Sequence, residues 1–235
     1  MSHTEVQSLG RRTNVDVLRE HVQLDHKFVV DAGCGSLTFT NLLAEEGAQV
    51  LAIDPDPIQA KLNRESGFDQ SIQFEECGAD SIPAADHSVD GVFFSYSLHH
   101  IPTSLHGAVF REARRVLKHS GFIYIIEPVD CPLNQVMKLF HNEDVERAEA
   151  WDSIVQFGMP MFQHGVVAEY FGIVNYESWD AFKENFGRRS YNPGYSYEDV
   201  ACEAVRDAFE VQARRTESGY EFDSPKRIVF LSGIK

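Results

Sequence analysis

The chain has 235 residues, of which 21 are basic and 36 acidic, giving a formal net charge of −15. This length suits one α/β domain with or without a modest cap, and the acidic balance disfavours proteins that bind nucleic-acid backbones or anionic membranes. No apolar run reaches membrane-spanning length, so a cytoplasmic location is expected. The four cysteines form no C-x-x-C pair, so the sequence predicts no disulfide framework and no metal.

The first 27 residues predict a polar lead followed by one helix. Asn14 is a plausible N-cap, and the apolar stripe of Val15, Leu18 and Val22 predicts a helix over Asn14 to Gln23.

A strand, a glycine turn, a helix and a second strand follow. Residues 28–30 form a short apolar run, Gly33 and Gly35 allow a tight turn, and residues 36–46 have helical spacing. Residues 50–53 predict the next strand, and Asp54 stands at its carboxyl end, where open α/β sheets bind ligands. A carboxylate there can accept hydrogen bonds from both hydroxyls of a ribose.

The spacing of the glycines separates two classes of cofactor. A dinucleotide fingerprint would need a third glycine where Thr38 stands, whereas residues 31–35 match the first half of a D-x-G-x-G-x-G loop. The segment from Asp31 to Asp54 resembles the class I S-adenosylmethionine-dependent methyltransferases, in particular the small-molecule type 11 kind. Leu37 stands where that family usually has its third glycine, and a side chain there would push the loop away from the methionine end of the cofactor.

The resemblance continues through four ordered motifs, over roughly residues 28–128. It covers the turn at residues 79–83, a fourth strand over Val89 to Ser95, the segment 97–102 and a helix near 104–118 that leads to a fifth strand over Ile123 to Ile126. A further helix is expected near 57–66.

The resemblance also implies site residues. Asp54 would bind the ribose and Asp80 the adenine amino group. The residues that it assigns to S-adenosyl-L-methionine are Asp31, Gly33, Cys34, Gly35, Asp54, Pro55, Asp80, Ser81 and Ser95. His99 and His100 follow the fourth strand and are the candidate catalytic residues, because an imidazole can act as a general base. Neighbouring side chains should point in different directions, so at most one of the two is expected to face the methyl group.

The remainder of the chain has a different character. Residues 130–198 are rich in aromatic residues and predict a helical cap for the substrate, with Arg188 and Arg189 as candidates for binding an anionic group. A helix is expected from Tyr197 to Arg215 with Ser196 as its N-cap, followed by a hairpin of residues 220–222 and 227–231 around a turn at residues 223–226.

These patterns predict one domain over residues 1–235, with a Rossmann-like, seven-stranded, mostly parallel sheet, a C-terminal antiparallel hairpin and helices on both faces.

The function that the resemblance implies is methyl transfer from S-adenosylmethionine to a small organic molecule. Two alternatives stay open: a non-catalytic S-adenosylmethionine-binding protein acting as sensor or partner subunit, and an enzyme of the same fold with other chemistry. A nicotinamide dehydrogenase is disfavoured by Thr38 and the terminal hairpin. The oligomeric state is not predicted.

Overall fold

A computed structural model of the protein describes residues 6–187 and 194–235, and these residues build one nine-stranded sheet with helices on both faces. The strands are β1 (Val6–Arg11), β2 (Phe28–Ala32), β3 (Gln49–Ile53), β4 (Ile72–Glu75), β5 (Val89–Ser95), β6 (Leu117–Pro128), β7 (Phe162–Tyr176), β8 (Arg214–Thr216) and β9 (Gly219–Ile234). The helices are α1 (Asn14–His21), α2 (Thr38–Glu45), α3 (Pro57–Ser66), α4 (Thr103–Val116), α5 (Pro132–Met137), α6 (Asp144–Ser153), α7 (Trp179–Gly187), α8 (Tyr197–Ala201) and α9 (Glu203–Gln212).

The expected mostly parallel sheet with antiparallel C-terminal strands is confirmed. The strand order is β1-β7-β9-β6-β5-β2-β3-β4, and β8 pairs with β9. Strands β2 to β6 are parallel to their neighbours within that group, whereas β9 is antiparallel to β6, β7 and β8. The sheet has nine strands where seven were predicted: β1, β7 and β8 were not predicted, and the two predicted hairpin strands both lie in β9. Because β2 to β5 are parallel, their carboxyl ends meet at one edge, where the candidate site lies.

The N-terminal segment differs from the prediction in two ways. Residues 6–11, expected to be an irregular lead, form the edge strand β1 parallel to β7. The N-cap of α1 is Thr13 rather than Asn14, because the Thr13 hydroxyl accepts from the Asp16 backbone N–H while the Asp16 carboxylate accepts from the Thr13 N–H.

The prediction that residues 130–198 are helical is wrong for residues 162–176. This segment is the 15-residue strand β7, which pairs with β1 on one side and β9 on the other. Its aromatic residues suggest a helical core, but the segment also carries the β-branched pairs Val166–Val167 and Ile173–Val174, which suit a strand paired on both sides. Helices α5, α6 and α7 occupy other parts of the same region.

The antiparallel hairpin lies elsewhere than expected. Residues 223–226, predicted as its turn, lie inside the 16-residue strand β9, where Pro225 is opposite Phe171 of β7. The short hairpin joins β8 to β9 instead. Ser196 caps α8 as predicted, but the expected helix 197–215 is interrupted at Cys202, whose backbone is extended.

Three apolar clusters hold the domain together. One packs α4 and α6 on one face of the sheet, and the second packs α1 and α2 on the other. The third joins α5, α7, α8 and α9 to the ends of β7 and β9 around Phe182 and Phe209, both fully buried. Among the described helices, none has the length and apolar content to cross a membrane.

We expect Phe182→Ala to destabilise the protein by about 3–5 kcal/mol, because the substitution leaves a cavity in the third cluster. Phe68→Ala is the matched control, since the Phe68 side chain is 41% exposed and its removal should cost much less. Urea unfolding curves of both variants measure this difference, and equal costs would contradict a separate packed core in this region.

Candidate functional site

The glycine loop joins β2 to α2 and is anchored to the end of β3. The backbone N–H groups of Gly33 and Cys34 donate to the Ile53 carbonyl over 2.8 and 3.0 Å. Gly33 has φ +75°, and a Cβ at this position would lie 2.5 Å from the Ser97 Cβ, so only glycine fits. A Cβ at Gly35 would instead meet no atom within 4 Å, so the loop faces open space at this residue.

Asp54 holds the same loop from the neighbouring strand. One carboxylate oxygen accepts from the Gly35 N–H over 2.8 Å and the other from the Asp56 N–H over 2.9 Å. The N-cap of α3 is Asp56, whose carboxylate accepts from the Ile58 N–H. Asp54 is therefore not the helix cap, and each of its oxygens keeps a lone pair for a further donor.

Helix α3 supplies two loop contacts that the sequence did not reveal. The Asn63 side-chain amide donates to the Gly35 carbonyl over 2.9 Å, and the Gln59 amide donates to the Asn63 side-chain oxygen over 2.8 Å. Both side chains are buried. The sequence indicates these contacts only weakly, because it shows no more than two amide side chains four residues apart. Both lie on the face of α3 that also carries Ala60. Side chains thus hold both the N–H and the carbonyl of Gly35.

Asp31 is buried beneath the loop with one unsatisfied oxygen. Its Oδ2 accepts from the Thr40 hydroxyl over 2.6 Å, whereas its Oδ1 is buried and has no hydrogen-bond partner among the described residues. Burial raises the pKa of Asp31 to about 7, and the negative charge of Asp54 adds to this shift. An orphaned buried acceptor beside a ligand loop is suited to a donor that the ligand brings.

Leu37 does not act on the loop as its position suggested. Its backbone has φ +62°, the left-handed conformation that glycine adopts at low cost, and it is the N-cap residue of α2. Its side chain is 4% exposed and packs in the cluster of α1 and α2. The leucine therefore occupies the core, and the expectation that its side chain would push the loop away from the cofactor is wrong.

The other predicted cofactor residues lie around the same edge of the sheet. Cys34 is buried in the loop, and burial raises the pKa of its thiol. Ser95 is half-buried at the end of β5, whereas Pro55, Asp80 and Ser81 are exposed on the turns after β3 and β4. Of the predicted residues, Asp54 thus holds the loop that contains Gly33 and Gly35, Asp31 lies in the strand before that loop, and Asp80 and Ser81 lie on the turn after β4.

The two histidines follow β5 in a 3-10 turn, Leu98–His100. The side chain of His99 is 3% exposed and that of His100 is 60% exposed. The His99 Nδ1 forms a hydrogen bond with the Glu127 carboxylate at the end of β6. The two rings lie side by side with centroids 4.1 Å apart, so the expectation that they point in different directions is wrong. The tight turn brings both imidazoles to the same partner.

That partner is Glu143, immediately before α6. Its Oε1 lies 3.8 Å from the His99 Nε2, 3.6 Å from the His100 Nδ1 and 2.9 Å from the His141 Nε2, while its Oε2 accepts from Arg147 over 2.6 Å. Burial by itself would raise the pKa of Glu143, but the neighbouring charges of the histidines and Arg147 lower it. The carboxylate is therefore ionised. Its segment carries no motif that would have identified it in the sequence.

A cavity of about 490 Å³ lies next to these residues, at the carboxyl end of β6. Glu127 and Arg147 line it, together with apolar side chains of Trp151, Ile154 and Val229. The other charged residues of the lining are Asp130, Lys138, Asp144 and Arg227. A pocket of this size that combines apolar and charged side chains can hold a small organic molecule that carries polar groups. Arg188 and Arg189, predicted as anion-binding residues, lie outside the described residues.

Comparisons with known proteins agree with this geometry. Residues 30–125 match the family model described as a methyltransferase domain. A ubiquinone biosynthesis O-methyltransferase of Xanthomonas oryzae is 30% identical over 114 residues, which cover 47% of this chain and 47% of that protein. A ubiquinone/menaquinone biosynthesis C-methyltransferase of Hahella chejuensis is 29% identical over 103 residues, covering 42% of this chain and 41% of that protein. The chain thus spans about half the length of the curated relatives that it matches.

The whole fold is also found in solved structures. The YcgJ protein of Bacillus subtilis superposes with a TM-score of 0.61 at 15% sequence identity, covering 94% of this chain and 97% of that one. At this identity the match establishes the fold, which extends beyond the segment matched by the family model.

The left-handed backbone at Leu37 generates a prediction about substitutions there. We expect Leu37→Ala to destabilise the protein by about 2–5 kcal/mol, because it removes a buried side chain and keeps the strained backbone. Leu37→Gly should cost about 1–2 kcal/mol less, since glycine adopts this conformation without strain. Thermal and urea unfolding measure which of the two variants is more stable. If Leu37→Gly were less stable than Leu37→Ala, the backbone at residue 37 would not be strained in the wild type.

The raised pKa of Asp31 predicts an unusual pH dependence. Because the folded protein holds this proton up to about pH 7 and the unfolded chain releases it near pH 4, the stability contributed by Asp31 falls as pH rises between these values. Asp31→Asn keeps an oxygen for Thr40 and removes the titration. The unfolding free energy of the variant should therefore rise relative to wild type from pH 4 to 7.

The control for this experiment is Asp69→Asn. Hydrogen bonds from Ser71 lower the pKa of the exposed Asp69, so its titration lies below this interval. The difference between wild type and this variant should stay constant from pH 4 to 7. A constant difference for Asp31→Asn as well would contradict the raised pKa.

Proposed function

We propose, from the match of residues 30–125 to the methyltransferase-domain model, that the protein transfers a methyl group from S-adenosylmethionine to a small organic acceptor. The observation that carries the proposal is the Asp54 carboxylate, hydrogen-bonded to the Gly35 N–H at the carboxyl edge of the parallel sheet beside open space.

The residues around the loop suit this cofactor. Asp54 offers the remaining lone pairs of its carboxylate to the ribose hydroxyls. The orphaned Oδ1 of Asp31 offers an acceptor to the amino group of the methionine portion. Gly35 presents its backbone without a side chain, which allows close approach. We assign Cys34, Pro55, Asp80, Ser81 and Ser95 to the surroundings of the same ligand as proposals that follow from the resemblance.

S-adenosylmethionine, when bound, supplies a methyl group that its sulfonium already activates. The chain has to position the acceptor in line with that group and exclude water. Glu127 accepts a hydrogen bond from the His99 Nδ1–H, so that Nε2 is the ring nitrogen that faces Glu143. We propose that His99, with His100 beside it, is a catalytic residue that positions and activates the acceptor from this side of the site.

The proposal of a small organic acceptor rests on three supports. The cavity at the end of β6 has a volume that suits a small molecule, and both apolar and charged side chains line it. The relatives that match residues of this chain include methyltransferases named for ubiquinone biosynthesis. The net charge of −15 disfavours a nucleic-acid acceptor.

The alternative of a non-catalytic binding protein rested on Leu37. Because the Leu37 side chain packs in the core, it leaves the space beside Gly35 open. We therefore favour the enzyme. The protein is incubated with S-adenosylmethionine and a panel of phenols, amines and carbon acids, and mass spectrometry detects any S-adenosylhomocysteine that forms. Its formation would support the enzyme. Binding of S-adenosylmethionine without turnover on any of these acceptors would favour the non-catalytic binding protein.

We expect Asp54→Asn to weaken the binding of S-adenosylhomocysteine by about 1–3 kcal/mol, because it removes a charged acceptor for the ribose hydroxyls. Asp56→Asn is the matched control: the same acid-to-amide change two residues away keeps a good N-cap and should leave the affinity unchanged. Isothermal titration calorimetry measures both affinities. Equal affinities for both variants and wild type would contradict the assignment of Asp54.

A further inference from the structure

His99, His100 and Glu143 place three metal-binding groups together although Glu143 is 43 residues away from His100 in the chain. Two imidazole nitrogens and one carboxylate oxygen all lie within 4.8 Å of one another. The 3.8 Å from the His99 Nε2 and the 3.6 Å from the His100 Nδ1 to the Glu143 Oε1 both exceed hydrogen-bond length. The His99 Nε2 and the His100 Nδ1 therefore do not form hydrogen bonds with the Glu143 Oε1, and the three atoms surround a gap.

We propose that His99, His100 and Glu143 bind a divalent transition-metal ion. Two imidazoles and one carboxylate are a ligand set that Zn²⁺ and Fe²⁺ use, and three protein ligands leave at least one coordination position open. Ligands about 2.0–2.2 Å from a tetrahedral ion lie roughly 3.3–3.6 Å apart. The observed separations thus need to contract by only a few tenths of an ångström for the two histidine–glutamate pairs.

The groups around the three ligands orient them for an ion. Glu127 bonds the His99 Nδ1 and leaves Nε2 free, the arrangement in which a carboxylate orients a metal-bound histidine. Arg147 occupies the Glu143 Oε2 and leaves Oε1 for coordination. His141 donates to the same Oε1, whose second lone pair remains available. Two carboxyl groups, those of Glu127 and Glu143, thus lie with one arginine around the three ligand atoms, an arrangement that suits a cation.

The position of this site bears on the acceptor. His99 and His100 follow β5 and Glu143 precedes α6, and they lie beside the cavity that Glu127 and Arg147 line, at the same edge of the sheet as the glycine loop. This inference about the acceptor rests on the proposed function. The acceptor would carry a hydroxyl group that binds the open coordination position of the ion. That hydroxyl releases its proton to solvent at a lower pH than when free. Its oxygen then bonds to the methyl carbon as the sulfur–carbon bond breaks and S-adenosylhomocysteine leaves.

The test begins with the full chain freed of metal by a chelator and titrated with Co²⁺ and with Zn²⁺. We expect one equivalent of each ion to bind, and bound Co²⁺ to give the visible absorption of a site with nitrogen and oxygen ligands. His100→Ala and Glu143→Gln should each weaken Zn²⁺ binding at least tenfold. Glu127→Gln should weaken it by about 10–100-fold, as expected for a residue that orients a ligand.

His119→Ala is the matched control. His87 and His119 form another histidine pair, with ring centroids 5.0 Å apart, and His119 is exposed. Its removal should leave Zn²⁺ affinity unchanged. Circular dichroism and thermal unfolding verify that each variant is folded. His100→Ala is the main test of the metal site, because the His100 side chain is exposed and its removal should disturb folding least.

The outcomes separate this inference from the proposed function. Absence of stoichiometric Zn²⁺ binding, or equal affinity in His100→Ala, Glu143→Gln and wild type, would overturn the metal site. Binding of S-adenosylhomocysteine to the metal-free protein is measured in parallel and should persist in His100→Ala. If that cofactor fails to bind wild type while Zn²⁺ still does, the proposed function fails and the metal site stands.

Discussion

The hydrogen bond from the Gly35 N–H to the Asp54 carboxylate is the contact on which the cofactor half of the site depends. It joins the loop after β2 to the residue after β3, so two adjacent parallel strands are tied together at their carboxyl ends. The Ile53 carbonyl, which receives the Gly33 and Cys34 N–H groups, and the Asn63 amide, which donates to the Gly35 carbonyl, complete the same attachment. A loop held from three directions is already shaped before any ligand arrives, which lowers the entropic cost of binding.

The other half of the candidate site is organised by charge. Glu143 is largely buried, which is costly for an ionised group, and His99, His100, His141 and Arg147 all approach it. Arg147 lies four residues later on α6, so local helix geometry supplies one of these contacts. The others require that the turn after β5 and the start of α6 meet. Both halves of the site therefore place carboxyl groups at one sheet edge, but only the second surrounds its carboxyl group with imidazoles.

The additional strands show where tertiary context overrides local pattern. Residues 162–176 carry many aromatic residues and read as a helical cap, yet they extend because β9 offers an unbroken antiparallel partner along their whole length. The same pairing with β7 keeps residues 223–226 extended within β9, although their sequence is typical of a turn. Backbone hydrogen bonds to neighbouring strands compensate here for weak or opposing local preference. Such compensation comes from residues far away in the chain.

The sequence by itself determined the parallel half of the sheet, because short apolar runs, glycine turns and amphipathic helices there are local signals that agree with one another. It also predicted Asp31, Gly33, Gly35 and Asp54 as cofactor-binding residues, because they lie within 24 residues and belong to one motif. Only the tertiary structure decided the course of β7 and β9, the inward direction of Leu37, the role of Asn63 and the meeting of His99 and His100 with Glu143. Each of these depends on contacts between segments distant in the chain, or on a backbone conformation that the residue type disfavours. Neither leaves a local pattern in the sequence.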